Sequence, residues 1–221
     1  MAERGAASTT PTPPATLHLT LTLLSQGQIL HRVHQEQYRA DQFNPGLRGN
    51  ARFSPIGSHQ RSPIPTLYGG TTMDCALMET VFHDVPHAAG FKSFDKGKLF
   101  GHVHSVIEVT QLLKLADLAS VALRKLGVTR RQLIDTEKDQ YPATRQWAEA
   151  IHRQCPQAQG LSWVSRQDDS ARAVMLFGDR VPSGAIRSHG VPAGLIESAD
   201  IYDAVLALAE RIGVVIVPGS S

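Results

Sequence analysis

Leu17-His18-Leu19-Thr20-Leu21-Thr22-Leu23 alternates apolar and polar side chains without a break. Successive side chains of a strand point to opposite faces, so a period of two marks a half-buried strand. Gly101 to Val109 carries a similar pattern, with Val103, Ile107 and Val109 on one face. Residues 28–33, 161–166 and 173–177 read as further strands, and 214–217 as a last one. Alternation of this kind belongs to antiparallel or mixed sheets with one exposed face. Helical periodicity is interspersed without a regular βαβ rhythm. Thr71 to His83 places Met73, Ala76, Leu77, Thr80 and Val81 on one side, with Thr71 or Thr72 to cap it and Asp74 in its first turn. A second helix begins near Pro142, carries Ala143, Trp147, Ala150 and Ile151, and stops at Pro156. A third is capped by Ser198 and carries Ile201, Val205, Leu208, Ala209 and Ile212. The expected class is α+β, a mixed and largely antiparallel sheet with flanking helices.

The bulk numbers set the frame. A chain of 221 residues, 42% of them apolar, is long enough for a proper core and fits a single domain. Its expected extent is residues 16–221, behind a loose tail over residues 1–15 that is rich in Ala, Ser, Thr and Pro. A net charge of +2 with 19% charged residues argues for neither a nucleic-acid nor a membrane partner, and there is no basic stripe or helix-turn-helix pattern. No apolar run is long enough for a bilayer, and the first sixteen residues lack the apolar stretch of a signal peptide, so a cytoplasmic location is expected. Cys75 and Cys155 fit free thiols in that compartment. His102 and His104 share a strand face, and His83 and His87 are four apart. Pro86 breaks that second pair and neither has a third ligand, so no metal is expected. There is no GxGxxG and no Walker loop.

Three places stand out as candidates for chemistry. Residues 41–66 form a long Gly/Pro-rich loop holding Gly49-Asn50-Ala51-Arg52-Phe53-Ser54-Pro55, with Arg32 and Arg48 upstream. Leu67-Tyr68-Gly69-Gly70 precedes a helix that contains Glu79, and Trp163-Val164-Ser165-Arg166 ends a strand. Taken in order, FNPG (43–46), GNARFSP (49–55), PTLYGG (65–70), ALMETVFHDVP (76–86) and WVSR (163–166) resemble the RES domain family. The resemblance runs from about residue 28 to about residue 180. It implies an ADP-ribosyltransferase-like fold and a bacterial toxin that depletes NAD. It also implies neutralisation by an Xre-type helix-turn-helix antitoxin, and a site made of Arg32, Arg52, Tyr68, Glu79 and Ser165. Glu79, Arg32 and Ser165 would be catalytic, and Arg52 and Tyr68 would bind NAD. NAD would be the substrate, with no separate cofactor. The acceptor, water or phosphate, stays open, as do a homodimer, transfer of ADP-ribose to a protein, and a non-catalytic nucleotide-binding module.

Those side chains suit that chemistry. A guanidinium binds phosphate in a planar, bidentate way, so Arg32 and Arg52 are suitable anchors for a pyrophosphate. Tyr68 offers a flat face for nicotinamide or its ribose and a polar hydroxyl. Cleavage at ribose C1′ passes through an oxocarbenium-like centre that the Glu79 carboxylate can stabilise. Ser165 shares a strand face with Leu161 and Trp163, so its hydroxyl needs a partner, which nicotinamide or ribose would supply. No GxSxG elbow surrounds it and no His and acid are placed to activate it, so it does not read as an acyl-type nucleophile. Arg166 points to the other face and reads as structural or as part of a rim.

Overall fold

The computed structural model describes residues 9–58, 60, 62–86 and 88–219. In chain order the elements are β1 (Leu21–Leu24), β2 (Ile29–Gln35), the short β3 (Ile56–Gly57) and β4 (Pro63–Ile64), β5 (Thr66–Gly70) and α1 (Met73–Thr80). Then follow β6 (Lys92–Asp95), β7 (His102–Val109), β8 (Leu113–Asp117), α2 (Ser120–Leu126), α3 (Arg130–Leu133) and α4 (Tyr141–Gln154). The chain closes with β9 (Gly160–Val164), β10 (Arg172–Phe177), β11 (Ile186–Gly194), α5 (Ala199–Arg211) and β12 (Val214–Val217). Eight strands form one sheet in the order β1-β8-β9-β10-β5-β2-β7-β11. Every neighbouring pair in it is antiparallel except β8 and β9. The class is α+β with a largely antiparallel sheet, as the alternation predicts.

The sheet curls because the chain steps between its two ends twice. β1 pairs with β8 and β2 with β7, while short links join β1 to β2 and β7 to β8. Leu24, Leu30, Leu67, Ile107, Leu115 and Leu176, drawn from both halves, therefore meet in one cluster inside the curl. The opposite face of β9 and β10 presents Leu161, Trp163, Met175 and Phe177 to Trp147 and Ile151 of α4. A third cluster joins α1 and α5 through Leu77, Phe82, Val205 and Leu208. Strand β10 alternates between the first two clusters, with Val174 and Leu176 in one and Ala173, Met175 and Phe177 in the other, and so is buried on both faces.

Several expectations shift in detail. The alternating stretch 17–23 is a strand only from Leu21, and its phase breaks at the end. Leu17, Leu19 and Leu21 pack against the α4 side, Leu23 is exposed, and Leu24 turns into the curl. The stretch expected as a loose tail divides at residue 9. Residues 1–8 lie outside the described residues, whereas the stretch from Thr10 is held along α4. The Thr10 amide donates to Gln140 at 3.1 Å, and the Trp147 indole N–H donates to the Pro11 carbonyl at 2.7 Å. Helix α1 ends at Thr80, short of His83. Ser198 stands at the N-cap of α5 but makes no side-chain cap bond. The last strand, β12, pairs in parallel with β6, apart from the main sheet. His87 lies outside the described residues. No helix among the described residues is long and apolar enough to cross a membrane.

Candidate functional site

Strands β2 and β5 pair at a single position, His31 opposite Gly70. Beyond it β2 stays with β7 along its whole length and β5 stays with β10, so the two strands part. The opening is a cleft of about 400 Å³. Arg32, Val33 and His34 form one lip, and Thr66, Tyr68 and Gly69 the other. Helix α1 reaches it through Ala76, Glu79 and Thr80, and the 48–52 segment borders it through Arg48, Asn50 and Arg52. The approach of α1 depends on Gly70: a Cβ there would lie 2.9 Å from both Cβ and Sγ of Cys75 and 3.0 Å from the Ala76 nitrogen. Thr72 caps α1 by accepting from the Cys75 amide, which fixes the turn from β5 into the helix.

Four of the five expected residues line the cleft, and the fifth stands behind it. The Ser165 hydroxyl is fully buried and donates to Glu79 Oε1 at 2.7 Å. Its oxygen accepts from the amides of Gln167 at 3.0 Å and Asp168 at 3.1 Å. One donor and two acceptor positions are then all in use. The expectation that this hydroxyl meets nicotinamide or ribose is replaced: its partner is Glu79, which it holds in place. Glu79 itself, on the margin of its helix stripe, is only about one-fifth exposed and points its other oxygen toward Arg52, with Oε2 3.8 Å from Nη1.

Arg52 is 93% buried, yet it spends little of its donor capacity on protein. The Glu79 contact is beyond hydrogen-bond reach, and Nε has no partner among the described residues. Its guanidinium lies over the Tyr141 ring at 5.7 Å, and its carbonyl accepts from the Thr144 hydroxyl, so the start of α4 positions it. Arg32 is placed differently. Its Nη1 donates to the carbonyls of Ala40 at 2.6 Å and Gln42 at 2.8 Å, so part of the expected phosphate anchor instead holds the following loop. Burial lowers its pKa to about 10, partly offset by Asp41, and it remains a cation at neutral pH.

The Tyr68 hydroxyl accepts from the Phe53 amide at 3.2 Å, and its ring meets Trp163 edge-on at 6.2 Å. Burial pushes its phenol well above the usual range, so it stays protonated. Cys75, next to this group, is fully buried. Burial, with the Glu79 and Asp168 charges adding to it, pushes its thiol up to about 12, which rules it out as a nucleophile. Arg166 lies on the rim, bonded to the Thr136 carbonyl at 2.6 Å and the Glu137 carboxylate at 2.5 Å. Opposite it, Lys138 reaches Asp84 at 2.6 Å.

Sequence reasoning missed Tyr141, Thr144 and His31 as neighbours of the site. Tyr141 and Thr144 lie on a helix read only for its apolar stripe. It also missed Arg130, whose Nη2 donates to the Ser165 carbonyl at 2.9 Å and whose Nη1 donates to the Val164 carbonyl at 3.2 Å. Nothing in the sequence links Arg130 to a strand more than thirty residues away.

No curated protein matches the chain. The RES domain family matches residues 29–194, which takes in β2 through β11 and every residue of the cleft described above. The chain belongs to the RES domain family.

Proposed function

We propose that this chain cleaves NAD at the bond between nicotinamide and ribose. The observation that carries the reading is the Glu79 carboxylate, fixed by Ser165 inside a cleft that also holds Arg52 and Tyr68. The family match supports it. Arg52 takes the pyrophosphate with guanidinium donors that make no protein hydrogen bond among the described residues. Tyr68 lies against the nicotinamide riboside end. Glu79 faces ribose C1′ and stabilises the positive charge that grows as nicotinamide leaves. Ser165 acts through Glu79 and does not touch the substrate. Nicotinamide departs with the bonding electron pair as a neutral molecule, so the departure itself needs no acid.

In a cell this activity makes the chain a toxin, and a helix-turn-helix antitoxin that covers the cleft is the partner the reading requires. The deciding experiment incubates purified protein with NAD, with and without inorganic phosphate, and identifies products by mass spectrometry. Nicotinamide with ADP-ribose is the result expected of a glycohydrolase. Nicotinamide with phosphorylated ADP-ribose, appearing only when phosphate is added, identifies a phosphorylase. ADP-ribose attached to protein would make the chain a transferase. NAD left intact by folded, antitoxin-free protein overturns the reading.

A further inference from the structure

Three described histidines line the cleft: His31, His34 and His83. Two of them have no nitrogen to spare. His34 pairs Nδ1 with the Gln35 carbonyl at 2.9 Å and Nε2 with the Ser105 hydroxyl at 2.8 Å. His83 pairs Nδ1 with the Thr80 carbonyl at 2.9 Å and Nε2 with Asp84 at 3.1 Å. Among the described residues His31 uses Nδ1 only, against Nε2 of His104 at 2.9 Å, with the rings stacked at 5.2 Å. His104 is 93% buried and does not line the cleft. The His31 ring is therefore tethered from behind, and its Nε2 is turned away from the tether.

Cleavage by a hydroxyl acceptor releases a proton, and the cleft has few groups able to receive it. The guanidinium groups are already protonated. Tyr68 keeps its proton, and Glu79 is engaged by Ser165 on one oxygen and faces Arg52 with the other. We infer that His31 is a further catalytic residue: its Nε2 takes the proton from the attacking oxygen, with His104 behind it holding the ring. The inference rests on the NAD-cleaving reading above. In the step, the C1′–N bond breaks and its electron pair leaves with nicotinamide. A lone pair of the acceptor oxygen forms the new bond to C1′, and the proton on that oxygen moves to His31 Nε2. The products are nicotinamide, ADP-ribose and an imidazolium that returns its proton to solvent. The step requires His31 to carry its resting proton on Nδ1, donated to His104 Nε2, so that the imidazolium keeps the same bond.

The titratable and charged groups around His31 are Arg32 and His34 on its own strand, His104 on β7, Tyr68 on β5, Glu79 on α1 and His83 in the turn that follows α1. Burial holds His31 and His104 below the ordinary imidazole value, so both are neutral at pH 7. The base is ready above that lowered value and lost below it.

The test compares the wild-type chain with H31N, whose amide N–H can still reach His104 while the Nε2 position is gone. The expected result is a kcat lower by about 10²-fold at pH 7.5, the usual scale for a lost general base. KM should stay within about threefold. The acid limb of the wild-type kcat/KM profile should be absent in H31N. Azide, an acceptor with no proton to lose, should restore nicotinamide release to H31N with ADP-ribosyl azide as product. NMR titration of His31 in the wild-type chain supplies a measurement that does not depend on the variant folding, and its midpoint should coincide with the acid limb. Nicotinamide release by the wild type with H31N unchanged, or with no azide rescue, overturns the inference alone. An NMR midpoint far from the acid limb does the same. A wild-type chain that releases no nicotinamide overturns the reading beneath it as well.

Discussion

Ser165 uses every position of its hydroxyl, and that decides what its removal should do. S165A takes a hydrogen bond from the Glu79 carboxylate and leaves the half-buried Gln167 and Asp168 amides without that acceptor. Stability should fall by about 1 kcal/mol, the usual net scale of a lost hydrogen bond, and kcat should fall with it. Urea denaturation alongside NAD turnover reads both. Glu79 and Arg52 should separate. E79Q keeps the shape but not the charge, so NAD should still bind while kcat drops by roughly 10²-fold. R52A should weaken NAD binding by about ten- to a hundredfold, the range for a lost bond to a charged group. Calorimetric binding to each variant, set beside turnover, would expose the two roles if they are reversed. The residues that gather at the cleft were legible because motif order and residue type together named them. Their division of labour was not. That Ser165 stands behind Glu79, and that Arg32 turns part of its guanidinium onto the 40–42 loop, depends on side chains brought together across the sheet, which spacing along the chain does not encode.

At the scale of elements, the close packing of β5 against α1 decides where Glu79 sits. Gly70 leaves no room for a Cβ against Cys75 and Ala76. G70A should force the helix away from the strand, costing about 1–3 kcal/mol as overpacking does, and should lower kcat through the displaced Glu79. A variant with unchanged denaturation midpoint and unchanged turnover would show that α1 can yield without consequence. Strands with apolar alternation, such as β7, and helices with long stripes, such as α4, were legible in the sequence. Those with no apolar signal were not. β11 is exposed along most of its length, so nothing in Arg187-Ser188-His189-Gly190-Val191 marks a strand. It forms because β7 offers an edge to pair with. Leu113–Asp117 is short and apolar enough to be ambiguous between helix and strand, and becomes β8 because β1 and β9 flank it.

For the molecule as a whole, the same seam that carries the cleft also makes the fold sensitive to acid. His104 and His34 are buried on β7 and β2, beside the half-buried His31, and burial lowers the pKa of all three. For His104 the value falls from 6.5 to about 4, through burial first and then repulsion from His31 and His34. An unfolded chain has no such burial, so between about pH 6.5 and pH 4 the unfolded state binds more protons than the folded one. Stability is then complete above pH 6.5 and is lost as the pH falls toward 4. His104 alone should cost about 2 kcal/mol by pH 5, a large part of the 5–15 kcal/mol typical of a domain. The part of that window above about pH 5 lies above the range in which most carboxylates titrate, so the loss measured there can be assigned to histidine. Urea denaturation of the wild type at pH 7.5 and pH 5 should show the drop, and H104Q, which has no proton to gain, should show a smaller one. Equal losses in the two proteins would mean that the buried pair is not what acid attacks. Because the stability loss and the proposed loss of the His31 base run in the same direction, turnover at pH 5 has to be read on protein shown by circular dichroism to be still folded. A folded chain that has stopped cleaving NAD at that pH, and resumes on return to pH 7.5, separates the titration of the cleft from the collapse of the seam that forms it.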